Sequence, residues 1–292
     1  MGKETINLPL YGVHHYYHPI VEGAFLAKNG QMLHGFFMID TGSSENILNK
    51  DVERLLGSDT FIDDTQRIGA LECKGETCPI VNVCVELDGN RSNERFCISQ
   101  NIVFSDYYGK NRIIGILGSI FMIKHQLVLN LNEECLRTAI IESISLEDKS
   151  FFFPMEYGMH HYRIPVVGIV NGKEEYVCVA DTGSTLNLIA ERALTGFGNY
   201  EKLEGDGIVA GVYGKKEISY AEVSFSLFSI GEQTGETRLV TKEDVFQVLP
   251  NRDCIHNPED GEHPPIYGLI GARFMLEQKW ILDFGNLAIY AN

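Results

Sequence analysis

The chain carries one internal repeat, and its period decides the architecture. Asp40-Thr41-Gly42-Ser43 returns as Asp181-Thr182-Gly183-Ser184, 141 residues later. Upstream of each copy stands a His-His-Tyr triplet, His14-His15-Tyr16 and His160-His161-Tyr162. Downstream, Ile116-Leu117-Gly118-Ser119-Ile120-Phe121-Met122 is answered by Leu269-Ile270-Gly271-Ala272-Arg273-Phe274-Met275. The three matches keep the same order, and the period is about half of the 292 residues. Solenoids repeat every ~20–50 residues, so this is a duplicated domain. The polar stretch Ser143 to Ser150 reads as the linker, which gives halves 1–145 and 146–292.

Each half has the same local grammar. Gly35-Phe36-Phe37-Met38-Ile39 and Tyr176-Val177-Cys178-Val179-Ala180 are short apolar runs that read as buried strands delivering an aspartate at their ends. Asn29-Gly30 and Asn171-Gly172 precede them as hairpin signals. Asp51 to Leu56, stopped by Gly57, reads as a short helix, and one helical turn is expected at Gly118 to Met122 and at Gly271 to Met275. Leu127-Val128-Leu129 and Trp280-Ile281-Leu282 are the clearest late strands. Asn251 to Pro265, with three prolines, reads as a long surface loop. The expected class is therefore all-β, mainly strands with short helices.

A single Asp-Thr-Gly-Ser string would be an ordinary strand-end turn, since Asp and Gly are common turn residues. Two copies, each behind an apolar strand and ahead of an aliphatic-aliphatic-glycine segment, point to chemistry. Hydrolysing a peptide needs a water made nucleophilic and a leaving amine that receives a proton. Two carboxyls about 3 Å apart share one proton, so one serves as base while the other polarises the carbonyl oxygen. Asp40 and Asp181 are the pair that the repeat supplies, one from each half. Gly42 and Gly183 allow close backbone approach. Thr41 and Thr182 have hydroxyls that can bond across the pseudo-twofold axis, and Ser43 and Ser184 have hydroxyls that can donate to the outer carboxylate oxygens.

Phe37 to Ser44 and Val179 to Thr185, with Ile116-Leu117-Gly118 and Leu269-Ile270-Gly271, resemble the aspartic proteases of the pepsin and retropepsin group. The resemblance implies two pseudo-symmetric acid-protease-like β-barrel lobes with one active site between them. It implies that Leu117, Gly118, Ile270 and Gly271 pack beneath the two catalytic loops. Each half is nearer in length to a retropepsin-like subunit than to a pepsin lobe, so the image is a fused single-chain dimer. The family also has flaps that close over substrate. Gly207 to Gly214, with Gly211, Tyr213 and Gly214, resembles one, and Ile68 to Gly75, with Gly69 and Ala70, is the matching stretch. Pepsins carry the flap tyrosine in the first lobe, whereas here it falls in the second.

Composition narrows the rest. There are 24 Lys and Arg against 40 Asp and Glu, a net charge of −16. That balance excludes a nucleic-acid groove and gives no attraction to an anionic membrane. It favours cationic or neutral peptides as partners through weak steering. No apolar run approaches the ~20 residues of a membrane helix, no secretory signal or basic propeptide-like segment stands at the start, and the seven cysteines form no secreted framework. A cytoplasmic setting is expected. Cys254, His256 and His263 fit no standard zinc spacing, nor do Cys73 and Cys78, and no phosphate-cradling glycine motif is present. The expectation is an aspartic endopeptidase that needs no metal, cofactor or homodimer and acts on a peptide or protein substrate. The alternative is a catalytically silent peptide-binding module with the same fold.

Overall fold

The computed structural model describes residues 5–14, 17–68, 76–100, 107–108, 111–139, 151–154, 166–171, 174–196, 200–211, 214–230, 237–255 and 265–291. Among these residues the chain is mostly β, arranged in two lobes. An eight-stranded sheet is built from the first half and a seven-stranded sheet from the second, and both have the same order. In the first, Ile20–Leu26 pairs with Met32–Asp40, which pairs with Asn111–Gly118, then Ile47–Asn49, Asn90–Ser99, Glu76–Leu87 and Phe61–Ile68, and the eighth strand, Tyr107–Tyr108, pairs off this path with Asn111–Gly118. In the second, the same path runs through Val166–Asn171, Glu174–Asp181, Ile266–Gly271, Asn187–Ala190, Thr237–Leu249, Gly214–Ile230 and Tyr200–Gly211. Each sheet curls back on itself through one extra pairing, Ile20–Leu26 with Glu76–Leu87 and Val166–Asn171 with Gly214–Ile230.

The strands that carry the aspartates are apolar on both faces, which is why they read as continuous hydrophobic runs. Phe37 and Ile39 enter the main core, while Phe36 and Met38 face smaller clusters on the other side. The expected turn at Asn29-Gly30 is present, with Gly30 at φ 79° and Ala27 N–H donating to Gln31 O. The helix expected at Asp51 to Leu56 is a 3-10 helix, Lys50–Leu55, capped by the Asn49 side chain accepting from Asp51 N–H. The two glycine-led turns are α-helices, Ser119–Lys124 and Ala272–Glu277.

A third sheet joins the halves. Its six strands run Asn7–Pro9, Cys135–Thr138, Leu127–Asn130, Ile281–Asp283, Ala288–Ala291 and Phe151–Pro154. The pseudo-twofold axis passes through its centre, where Leu129 lies opposite Leu282. Each outer strand ends in a proline, which limits pairing at a sheet edge. The main core is one contiguous cluster drawing on both halves, from Ile6 and Phe37 to Trp280 and Ile289. The stretch read as a surface loop, Asn251 to Pro265, is not wholly on the surface. Ile255 is buried in an apolar cluster with Leu249 and Leu269, and its N–H donates to Ile266 O; residues 256–264 lie outside the described residues. The Ser143 to Ser150 linker lies outside the described residues.

Candidate active site

The repeat places its two aspartates at equivalent strand ends. Asp40 ends Met32–Asp40 and lies beside Gly118 in a parallel pair, and Asp181 ends Glu174–Asp181 beside Gly271 in the same way. In each half the chain then turns tightly, with Ser43 N–H donating to Asp40 O (3.2 Å) and Ser184 N–H to Asp181 O (3.3 Å). The two turns meet. A Cβ on Gly42 would lie 2.4 Å from Asp181 Cγ, and one on Gly183 would lie 2.4 Å from Asp40 Cγ. Only glycine allows each loop to pack so closely against the other half's carboxyl. The carboxyls of Asp40 and Asp181 lie within hydrogen-bonding reach of each other.

The threonines lock the two turns together. Thr41 N–H donates to Thr182 Oγ1 (3.1 Å) and Thr182 N–H to Thr41 Oγ1 (3.0 Å). Each hydroxyl then donates onward across the axis, Thr41 Oγ1 to Ala180 O (2.5 Å) and Thr182 Oγ1 to Ile39 O (2.7 Å). Both threonines are fully buried, so this network is shielded from water. The serines behave differently from expectation. Ser43 Oγ donates to Glu45 O and Ser184 Oγ to Leu186 O, not to the carboxylates. A carbonyl two residues on is a nearer acceptor for a serine hydroxyl in a turn.

The segments around Leu117-Gly118 and Ile270-Gly271 lie directly beneath. Ser119 N–H donates to Ser43 O and Ala272 N–H to Ser184 O, both at 2.8 Å. Leu117 and Ile270 are fully buried. Gly118 N–H donates to Asn46 Oδ1 (3.0 Å) and Gly271 N–H to Asn187 Oδ1 (2.8 Å). Asn46 and Asn187 were not singled out in the sequence, although the repeat in fact runs Asp-Thr-Gly-Ser-x-x-Asn in both halves. His18 was missed as well. Its imidazole reaches the second turn, with Nδ1 3.2 Å from Thr182 O and Nε2 3.2 Å from Thr185 Oγ1.

The stretches expected to be flaps are described only in part. Gly211 and Gly214 stand opposite each other at the end of the hairpin formed by Tyr200–Gly211 and Gly214–Ile230. Tyr213, Gly69 and Ala70 lie outside the described residues, as do His15, Tyr16, His160, His161, Tyr162, Cys73, His256 and His263. His14 is exposed and pairs with Glu134. Cys254 is half-buried. Burial above all pushes the Cys78 and Cys97 thiols up to about 12, so neither is a nucleophile at neutral pH.

Electrostatically the pair is not symmetric. Burial raises the Asp40 carboxyl, but Asp181 and the N–H groups of Ser43 and Gly42 pull it back; both N–H groups lie 3.0 Å from Oδ1. Asp181 is raised well above the usual carboxylate range, first by burial and then by the Asp40 charge. It accepts one backbone N–H, from Gly183 at 2.8 Å. Two close carboxyls cannot both ionise cheaply, and the one with more N–H donors, Asp40, keeps the charge.

A scan against protein-family models finds no match, and neither does a search of curated proteins. Among solved structures, the chain is similar to an aspartic proteinase from Irpex lacteus. The TM-score is 0.54 at 13% identity, covering 99% of this chain and 97% of that one. At that identity the likeness establishes the fold: a two-lobed, pepsin-like all-β architecture.

Proposed function

We propose that the chain is an aspartic endopeptidase in which Asp40 and Asp181 act together on one water. The observation that carries this reading is the facing pair of carboxyls, each packed on the other half's glycine and held by N–H donors of its own loop. The pair holds one proton, which resides on Asp181 because Asp40 has the two N–H donors. The ionised Asp40 takes a proton from water as the water oxygen bonds to the peptide carbonyl carbon. Asp181 gives its proton to the carbonyl oxygen, which yields a neutral tetrahedral diol. Asp40 then delivers its proton to the amide nitrogen while Asp181 recovers one from a diol hydroxyl. The C–N bond breaks, leaving an acid and an amine with the pair restored. Water is the only co-reactant.

An extended peptide would bind by main-chain hydrogen bonding in the manner of an added strand, with the hairpin around Gly211 and Gly214 as one partner. The crosswise threonine bonds supply rigidity, which keeps the reacting groups in near-attack geometry. The test is exposure of a diverse peptide library to the protein from acid to mildly basic pH, with products identified by mass. Cleavage that is blocked by a statine-type transition-state analogue supports the reading. Tight peptide binding with no cleavage at any pH identifies a silent binding module instead.

A further inference from the structure

His18 belongs to the first half yet ends on the second half's turn. Its backbone is fixed on both sides. Tyr11 and Ile20 form a two-way bridge around it, and Pro19 O accepts from Ile39 N–H, the residue before Asp40 (2.8 Å). Tyr17 just before it adopts φ 58°, and a Cβ on Gly12 would lie 2.8 Å from His18 O. From this base the ring crosses the interface between the halves. A carbonyl oxygen only accepts, so the nitrogen facing Thr182 O carries the hydrogen. In the neutral ring Nε2 is then an acceptor, and Thr185 Oγ1 can donate to it.

Thr182 and Thr185 bracket Gly183-Ser184. That turn holds the one backbone N–H on Asp181 Oδ1 and the wall against Asp40. The opposite turn has no matching residue by sequence. The repeat continues past the His-His-Tyr triplets to Pro19 and Pro165, which pairs His18 with Ile164, a side chain without a donor or acceptor.

We propose that His18 is a positioning residue for the aspartate pair: by tying Thr182 to Thr185 it fixes the Gly183 N–H on Asp181 and the turn against Asp40. Its effect on turnover rests on the endopeptidase reading; the tie itself does not.

His18→Leu removes both hydrogen bonds, and His18→Asn restores a donor at the position of Nδ1. Misplacement of a reacting group by about 1 Å costs roughly 100-fold. His18→Leu is therefore expected to lower kcat by about 100-fold with KM changed less than about threefold, and His18→Asn, which restores the Thr182 bond and not the Thr185 bond, to recover part of the loss. A fall in melting temperature with kcat intact, or no recovery in a folded His18→Asn protein, overturns the proposal. The second readout is amide hydrogen exchange at Gly183 with Gly42 as its internal mate. Exchange at Gly183 is expected to quicken at least about tenfold in His18→Leu while Gly42 stays unchanged. Equal change at both glycines, or none at either, overturns the tie. If the wild type cleaves nothing, the endopeptidase reading fails, and the exchange comparison still decides the role of His18.

Discussion

At the residue scale, the pair Asp40 and Asp181 stores destabilisation that the fold must carry. Asp181 holds its proton more tightly in the folded chain than in the unfolded one, because burial and the Asp40 charge oppose ionisation. A carboxyl raised in this way favours the folded state only while it is protonated. That advantage is lost as pH climbs from the unfolded value of about 3.9 through the folded value. At neutral pH the ionisable pair is a liability, as groups at functional sites commonly are. Asp181→Asn is therefore expected to raise stability at pH 7 by about 1 kcal/mol or more, with the gain shrinking toward pH 3. Denaturant unfolding of both proteins at the two pH values checks the sign. The aspartates, threonines and glycines of this site were legible from the repeated four-residue string. The serine hydroxyls were misread, since a hydroxyl rotor settles on the nearest acceptor and the string does not show which that is. His18 was invisible to repeat logic because it is a place where the repeat breaks.

At the element scale, the two turns stand on short helices, and the sequence showed these through Gly118 and Gly271. The Asn46 and Asn187 supports were within reach of the same reasoning, had the repeat been followed three residues further. The glycine-rich stretches read as flaps are not decided, because Gly69, Ala70 and Tyr213 lie outside the described residues. One helix end depends on a cluster that periodicity could not reveal. Glu94 is buried on Asn90–Ser99 and binds Lys124 Nζ through both oxygens at 2.9 Å, and His125 Nε2 at 2.8 Å. Burial pushes its carboxyl up, yet bonds from His125, Lys124 and Ser92 outweigh it and leave it lowered. The sign is the reverse of Asp181. Its stabilisation is present above the unfolded value of about 4.3 and is lost as pH falls through the folded value. Glu94→Gln should cost about 1 kcal/mol at pH 7, because it weakens the bonds to Lys124 and His125 while the half-exposed Lys124 ammonium can turn to water. The penalty should fade toward pH 3, which urea unfolding at both pH values would show.

At the scale of the whole molecule, the halves share a sheet and a core. Leu129 and Leu282 are fully buried at the centre of the joining sheet, and the main cluster runs through both halves. Coupling of this kind predicts one cooperative unfolding transition, not two, with calorimetric and van't Hoff enthalpies in agreement. Two separated transitions would show that each half folds by itself. The two-lobed all-β fold was legible from the repeat and its short apolar runs. The joining sheet was not, because its pairing is long-range and its strands, Leu127–Asn130 and Ile281–Asp283, are too short to announce a partner. On the proposed function, one site divided between two coupled halves must fail as a unit. The most direct measurement is therefore a double-mutant cycle on peptide cleavage with Asp40→Asn, Asp181→Asn and the double variant. Members of a catalytic unit are strongly non-additive, so each single change should remove at least about a thousandfold of turnover, and the double variant should be no worse than either. Near wild-type turnover in either single variant, or losses that add in the double, would contradict a shared-proton pair.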